Sequence, residues 1–139
     1  MDTLTIKVNA LEANESFLRS AVGAYAARLN PTLETIADIK TAVSEAVTNS
    51  IVHGYACDPK GIITVNCELA DGELTVEISD TGKGIPDVET AMQDFYTTLK
   101  GEERSGLGFT IMKSFMDSLE VFSSPGEGTT VKMKKNLCA

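Results

Sequence analysis

Cysteine is scarce in this sequence, and the scarcity argues against both a disulfide framework and a metal-binding one. The 139 residues contain three cysteines, Cys57, Cys67 and Cys138. The count is odd, and the spacings match neither a zinc site nor a redox motif. We therefore expect three reduced thiols, as in a protein of the cytoplasm.

Basic residues and long apolar runs are also scarce. Lys and Arg total 12 against 20 Asp and Glu, which gives a formal net charge of −8. Because nucleic acids bind surfaces with clustered positive charge, we expect protein partners and no direct nucleic-acid partner. No apolar run approaches the roughly 20 residues of a membrane-spanning helix, and the first residues do not read as a signal peptide. The sequence therefore predicts no membrane partner.

The length predicts a single domain, residues 1–139. Polar and apolar residues alternate over residues 3–8, which is typical of a half-buried strand. Asn9 and Glu12 have the spacing of a capping box and predict that a first helix begins here. The apolar stripe of this helix consists of Leu18, Val22, Tyr25 and Leu29.

A second helix is predicted over 32–53, with Asn30 as its N-cap and Pro31 at its first position. Its apolar face consists of Ile36, Ile39, Val43, Val47 and Ile51. Apolar residues then alternate over 63–69 and 74–78, and the Asp71-Gly72 pair between them predicts a hairpin turn.

The rest of the chain predicts a helix over 106–117 and two strands over 119–123 and 129–134. Residues 80–105, before this helix, show little periodicity apart from a short helical stretch around 88–95. The element order is β-α-α-β-β-loop-α-β-β. It predicts an α+β fold, a two-layer sandwich with helices on one face of a mainly antiparallel sheet.

Three polar side chains recur on the second predicted helix, opposite its apolar face. Glu45, Asn49 and His53 follow one another at intervals of four residues, so they share one side of a helix. A solvated polar face explains this pattern. A magnesium site explains it as well, because Asn offers a neutral oxygen ligand and a neighbouring Glu can orient or deprotonate a hydroxyl.

Two glycine-rich segments follow. In 80–86, Asp80 comes directly after a strand and precedes Gly82 and Gly84, so a ligand could approach the backbone closely while the carboxylate accepts a hydrogen bond. In 104–108, glycines open a helix, where free N–H groups and the positive end of the dipole attract anions. Arg104 adds a planar donor group for phosphate oxygens. A simple turn and a flexible N-cap are the alternatives.

The three segments, in this order, resemble the nucleotide-binding fold of the GHKL superfamily, which includes gyrases and histidine kinases. The resemblance implies an N-box at 45–54, glycine boxes at 80–84 and 106–108, and an ATP lid at 85–105. The stretch 126–130 resembles the last box, which implies that Thr130 lies near adenine and Asp80.

The sequence also resembles, over nearly its whole length, the sporulation anti-sigma-F family (stage II sporulation protein AB family). The strongest similarity lies in 44–55 and 103–112. This resemblance implies a homodimer that inhibits a sporulation sigma factor and uses ATP and Mg2+ to phosphorylate a serine of an anti-anti-sigma protein.

Roles for individual residues follow from the same resemblance. It implies Glu45 as general base, Asn49 as magnesium ligand and Asp80 as the group that binds adenine. Arg19, on the exposed side of the first helix, is either a partner contact or an ordinary solvated arginine. Further nucleotide contacts are implied for Gly82, Gly84, Thr98, Arg104, Ser105, Gly106, Leu107, Gly108 and Thr130.

Three other functions remain open from the sequence. The chain could be an ATP-responsive module that binds a sigma factor without kinase activity, or a general-stress anti-sigma kinase with the same chemistry. A detached histidine-kinase catalytic domain is less consistent with the sequence, because the one histidine, His53, lies inside the N-box.

Overall fold

The computed structural model describes residues 1–88 and 108–138. Within these residues, five strands form one sheet of order β1-β2-β3-β5-β4, in which each neighbouring pair is antiparallel. The strands are β1 (Asp2–Asn9), β2 (Ile62–Ala70), β3 (Glu73–Asp80), β4 (Ser118–Ser124) and β5 (Gly128–Asn136). The predicted strands are all present.

The hairpin between β2 and β3 is confirmed in detail. Ala70 pairs with Glu73, and the two residues between them have positive φ angles of 53° at Asp71 and 75° at Gly72. Two left-handed residues give a turn whose twist matches that of the flanking strands. The hairpin sets the register that carries Asp80 to the end of β3.

Three helices are described: α1 (Glu12–Ala27), α2 (Leu33–Asn49) and α3 (Gly108–Phe115). A π-helical turn, Ser50–Gly54, continues α2 to the predicted end of that helix. The helix predicted over 106–117 ends two residues earlier than expected. Leu29, assigned to the stripe of α1, lies beyond the helix and is 43% exposed.

The predicted start signals of α1 and α2 are wrong. Asn9 stays in β1, where it pairs with Ile62, so α1 begins after the apolar Leu11. Asn30, which follows the end of α1 at Ala27, has a φ of 54°, a left-handed conformation that suits asparagine. Thr32 is therefore the cap of α2, and its side chain accepts a hydrogen bond from the Thr35 N–H at 3.1 Å.

The core lies between the helices and one face of the sheet. The apolar sides of the helices pack in one cluster with alternate residues of the central strands. The largest fully buried side chains include Leu18, Ile39, Ile63, Leu74, Ile78, Met112 and Met133. The predicted two-layer α+β sandwich is confirmed, and it leaves the polar end of α2 beside the end of β3. No helix among the described residues is long and apolar enough to cross a membrane.

Candidate functional site

The polar side of α2 is half-buried where it reaches the other two segments. Glu45 and Asn49 lie on α2 itself, and Asn49 is its last residue. His53 lies in the π-turn, where the backbone is wider than an α-helix. The expected continuous α-helical face over 45–53 is therefore corrected: the α-helical spacing holds for Glu45 and Asn49 and changes before His53.

Asp80 is the most tightly held polar group of this region. Its side chain is buried, and its two carboxylate oxygens accept three hydrogen bonds from separate segments. The Ser50 hydroxyl donates to Oδ2 at 2.8 Å, the Gly82 N–H to Oδ1 at 2.9 Å and the Thr129 N–H to Oδ1 at 3.2 Å. These three donors hold the carboxylate in one orientation, so Asp80 is a fixed acceptor at the end of β3.

The loop after Asp80 packs against its neighbours backbone to backbone. The Lys83 N–H donates to the Gly54 carbonyl at 2.9 Å, and the Gly126 N–H donates to the Lys83 carbonyl at 2.6 Å. A Cβ on Gly82 would lie 2.1 Å from the Gly54 oxygen, and one on Gly84 would lie 2.0 Å from the Ser124 oxygen. Only glycine fits at these two positions, so the π-turn, this loop and the β4–β5 turn form one junction. We call it the glycine corner.

The position of Thr130 corrects the interpretation of the last motif. The side chain of Thr130 pairs with that of Ser79 at 3.0 Å, on the sheet face away from Asp80, because side chains alternate along a strand. Thr129 is the neighbour of Asp80: it is 6% exposed, and its N–H reaches the carboxylate. The sequence alone does not show which of the two adjacent threonines lies beside Asp80. The register of β3 with β5 shows it, because Thr129 pairs with Asp80.

The first residue of α3 lies against Glu45. A Cβ on Gly108 would lie 3.6 Å from Glu45 Oε2, so the last residue of the second glycine box lies beside the proposed base. The other predicted residues of this region, Thr98, Arg104, Ser105, Gly106 and Leu107, lie outside the described residues, as does most of the proposed lid. Its first residue, Ile85, donates its N–H to the Ser123 hydroxyl at 2.7 Å.

A cleft of about 600 Å³ reaches Glu45 from the side of α1. Its lining residues are Arg19, Ala37, Lys40, Thr41, Ser44 and Glu45. The Arg19 side chain is 40% exposed and lies 3.9 Å from Glu15, whose other oxygen accepts a hydrogen bond from Ser44 at 2.5 Å. Arg19 is thus partly exposed, and it shares a cleft with Glu45.

These residues fit a nucleotide better than they fit a metal alone. The fixed carboxylate of Asp80 suits an amino group, and the glycine corner holds that carboxylate in place through the Gly82 N–H. Among the described residues, no group of three His, Cys, Asp or Glu side chains could hold a metal ion. Asn49 offers one amide oxygen, which suits an ion whose other ligands are phosphate oxygens and water.

Known proteins resemble the chain over most of its length. The family model described as a histidine kinase-like ATPase domain matches residues 8–135. An anti-sigma F factor of Caldanaerobacter subterraneus subsp. tengcongensis is 55% identical over 132 residues, covering 95% of this chain and 92% of the relative. Those of Thermoanaerobacter pseudethanolicus and Clostridium perfringens (strain 13 / Type A) are 58% and 47% identical, covering 88% and 92% of this chain and 85% and 91% of the relatives.

Solved structures give the same fold. The structure of the RsbU and RsbW domains of a Mycobacterium tuberculosis protein matches with a TM-score of 0.71 and 25% identity, covering 99% of this chain and 32% of that one. The mycobacterial sensor histidine kinase MprB matches with a TM-score of 0.58 and 24% identity, over 72% of this chain and 70% of that one. The second likeness concerns the fold alone.

Proposed function

The chain belongs to the anti-sigma F factor family and carries a histidine kinase-like ATPase domain, and from this premise we propose that it is a protein serine kinase. It binds and inhibits a sporulation sigma factor, and it uses ATP and Mg2+ to phosphorylate a serine of an anti-anti-sigma protein. It does so as a single domain, residues 1–139, that forms a homodimer in the cytoplasm.

The observation that carries the proposal is the meeting of α2 with α3. Glu45 lies against Gly108 at the start of α3, where backbone N–H groups and the helix dipole favour phosphate. One helical turn away, Asn49 offers an amide oxygen to the proposed magnesium ion, and the next residue, Ser50, is hydrogen-bonded to Asp80. One short stretch of chain thus connects the proposed base, the metal ligand and the adenine acceptor.

In the proposed complex, Asp80 binds the amino group of adenine, and Thr129 replaces Thr130 as its neighbour. Gly82 and Gly84 serve the nucleotide through Asp80: they let the loop pack against Gly54 and Ser124, and the Gly82 N–H holds the carboxylate. The phosphate contacts fall to Thr98, Arg104, Ser105, Gly106, Leu107 and Gly108. ATP supplies the phosphoryl group, and magnesium neutralises part of its charge.

Glu45 aligns the serine hydroxyl of the partner and accepts its proton. The start of α3 and Arg104 stabilise the charge on the transferring group. We assign the cleft beside Glu45 to the incoming partner segment, because Glu45 forms one wall of it. Arg19, on the same cleft, then contacts that segment.

The decisive experiment compares two glutamates of α2. Glu45→Gln should lower the formation of phosphoserine on the anti-anti-sigma protein by about 100-fold or more, while the ATP affinity changes less than about twofold. Glu34→Gln changes the same chemistry at an exposed position in the first turn of the helix and should behave as wild type. Labelled ATP and calorimetry give the two readouts.

A Glu45→Gln protein that phosphorylates at the wild-type rate would remove Glu45 from the mechanism. Wild-type protein that binds ATP and a sigma factor but labels no serine would favour the alternative of an ATP-responsive binding module. The general-stress alternative predicts a preference for a different sigma factor, which native mass spectrometry of mixtures with each sigma factor would reveal together with the dimer.

A further inference from the structure

Tyr55 is a polar anchor at the glycine corner that the proposed chemistry does not use. Its hydroxyl donates to the Ile62 carbonyl at 2.5 Å and accepts the Thr81 N–H at 2.7 Å. It also lies 3.2 Å from the Thr81 hydroxyl. One phenol group therefore links the loop after β3 to the start of β2.

Tyr55 is held in place through both its backbone and its ring. Its own N–H donates to the Ser50 carbonyl at 2.9 Å and closes the π-turn. The ring also packs on Gly61, where a Cβ would lie 2.5 Å from ring carbons. The hydroxyl is therefore a fixed point, and its contacts with Thr81 fix the first residue after Asp80.

Fixing Thr81 matters because the next peptide binds Asp80. The Gly82 N–H donates to Asp80 Oδ1 at 2.9 Å, and this bond depends on the path of the chain through Thr81. Ser50 holds the other oxygen of the same carboxylate at 2.8 Å. Tyr55 closes the π-turn on Ser50 and binds Thr81, so it connects both arms that hold the carboxylate.

We propose that Tyr55 is a positioning residue for nucleotide recognition: through Thr81 and Gly82 it sets the orientation of the Asp80 carboxylate toward the amino group of adenine. The inference rests on the proposed ATP site and adds to it a determinant of base selectivity. It predicts that loss of the tyrosine hydroxyl weakens the binding of the adenine base and does not change the binding of the phosphates.

The test compares two nucleotides that differ only in the group Asp80 would bind. ATP carries the 6-amino group, and purine riboside triphosphate lacks it. For Tyr55→Phe, which keeps the ring, we expect calorimetry to show ATP binding weakened by about 5- to 10-fold, the effect of one hydrogen bond. Binding of purine riboside triphosphate should change less than about twofold, so the preference for ATP should fall.

Two further variants separate positioning from general damage. Tyr25→Phe removes the hydroxyl of a core tyrosine that lies beside Asp2 and Arg28, at the opposite end of the sheet, and should keep the wild-type preference. In an Asp80→Asn background, Tyr55→Phe should cause no further loss of ATP affinity, because the two changes act through one carboxylate.

The outcomes are distinct. Equal weakening of both nucleotides by Tyr55→Phe, or an unchanged preference for ATP, overturns the positioning role while leaving the ATP site intact. Wild-type protein that binds neither nucleotide overturns the proposed function and this inference together. If Tyr55→Phe melts far below wild type, the double variant is compared with Asp80→Asn alone. A lower ATP affinity in the double variant contradicts the inference.

Discussion

The helix-packed core and the glycine corner are built by opposite means. In the core, large side chains such as Leu18, Ile39 and Ile78 fill the space between helices and sheet. At the corner, segments meet through bare backbone, and a single added methyl group would overlap a carbonyl oxygen. Core side chains can repack around a change in volume, whereas backbone segments in direct contact cannot shift to accommodate an added group. The corner should therefore be the less tolerant region, although it is nearer to solvent.

The largest effect is expected when a methyl group is added at the corner. Gly128 has a φ of 89°, and its Cβ would lie 2.1 Å from the Asp80 carbonyl oxygen. Gly128→Ala should lower the free energy of unfolding by at least about 4 kcal/mol and abolish ATP binding. Urea denaturation and calorimetry measure both.

Gly126 is the matched control for this change. Its φ is 79°, but no atom lies within 4 Å of its added Cβ. Gly126→Ala should therefore cost only the left-handed conformation, about 1–2 kcal/mol. Equal losses in the two variants would show that conformation, and not backbone contact, limits the corner.

Deleting core volume should have the next largest effect, and of a different kind. Ile39 is fully buried on α2, and Ile39→Ala should cost about 3 kcal/mol in the free energy of unfolding. The ATP affinity of the folded protein should stay within about twofold of wild type. A large loss of ATP affinity in folded Ile39→Ala protein would show that the core and the glycine corner do not differ in this way.

A smaller loss is expected for Ser50→Ala, which removes the hydroxyl that donates to Asp80 Oδ2. A hydrogen bond to a buried charge contributes about 1.5–3 kcal/mol, so we expect the free energy of unfolding to fall by about 2 kcal/mol. Ser114 donates to the Thr110 carbonyl on the exposed side of α3. Ser114→Ala is the control, with an expected change below about 0.5 kcal/mol.

The smallest effect is a pH dependence from the core. Burial raises the pKa of the Cys67 thiol to about 12, whereas the thiol of an unfolded chain ionises near about 8.5. The unfolded state therefore loses its proton first, and stability falls as the pH rises above that value. The loss should reach about 1.4 kcal/mol at pH 9.5.

Cys67→Ala provides the comparison for this pH effect. Chemical denaturation at pH 7.5 and 9.5 should show a smaller drop in the variant than in the wild type, by the contribution of the thiol. An identical drop in both proteins would mean that Cys67 ionises in the folded state as readily as in the unfolded chain.

Local sequence patterns predicted much of the fold. The alternation in the strands, the Asp71-Gly72 turn and the apolar stripe of α2 each depend on neighbouring residues, and the structure agrees with them. The helix starts were less predictable. Asn9 has the spacing of a cap, but its pairing with Ile62 in the sheet keeps it in β1, and a partner 53 residues away is invisible to a local pattern.

The sequence by itself determined the segments of the site and their order: a Glu–Asn helix, an Asp-Thr-Gly-Lys-Gly loop and a glycine at the start of a later helix. Only the tertiary structure decided how they meet. It placed Glu45 against Gly108 and Ser50 on Asp80, and it chose Thr129 over Thr130 as the neighbour of that carboxylate. The reason is physical: strand register and backbone contact depend on residues far apart in the chain, whereas periodicity reports only what is near.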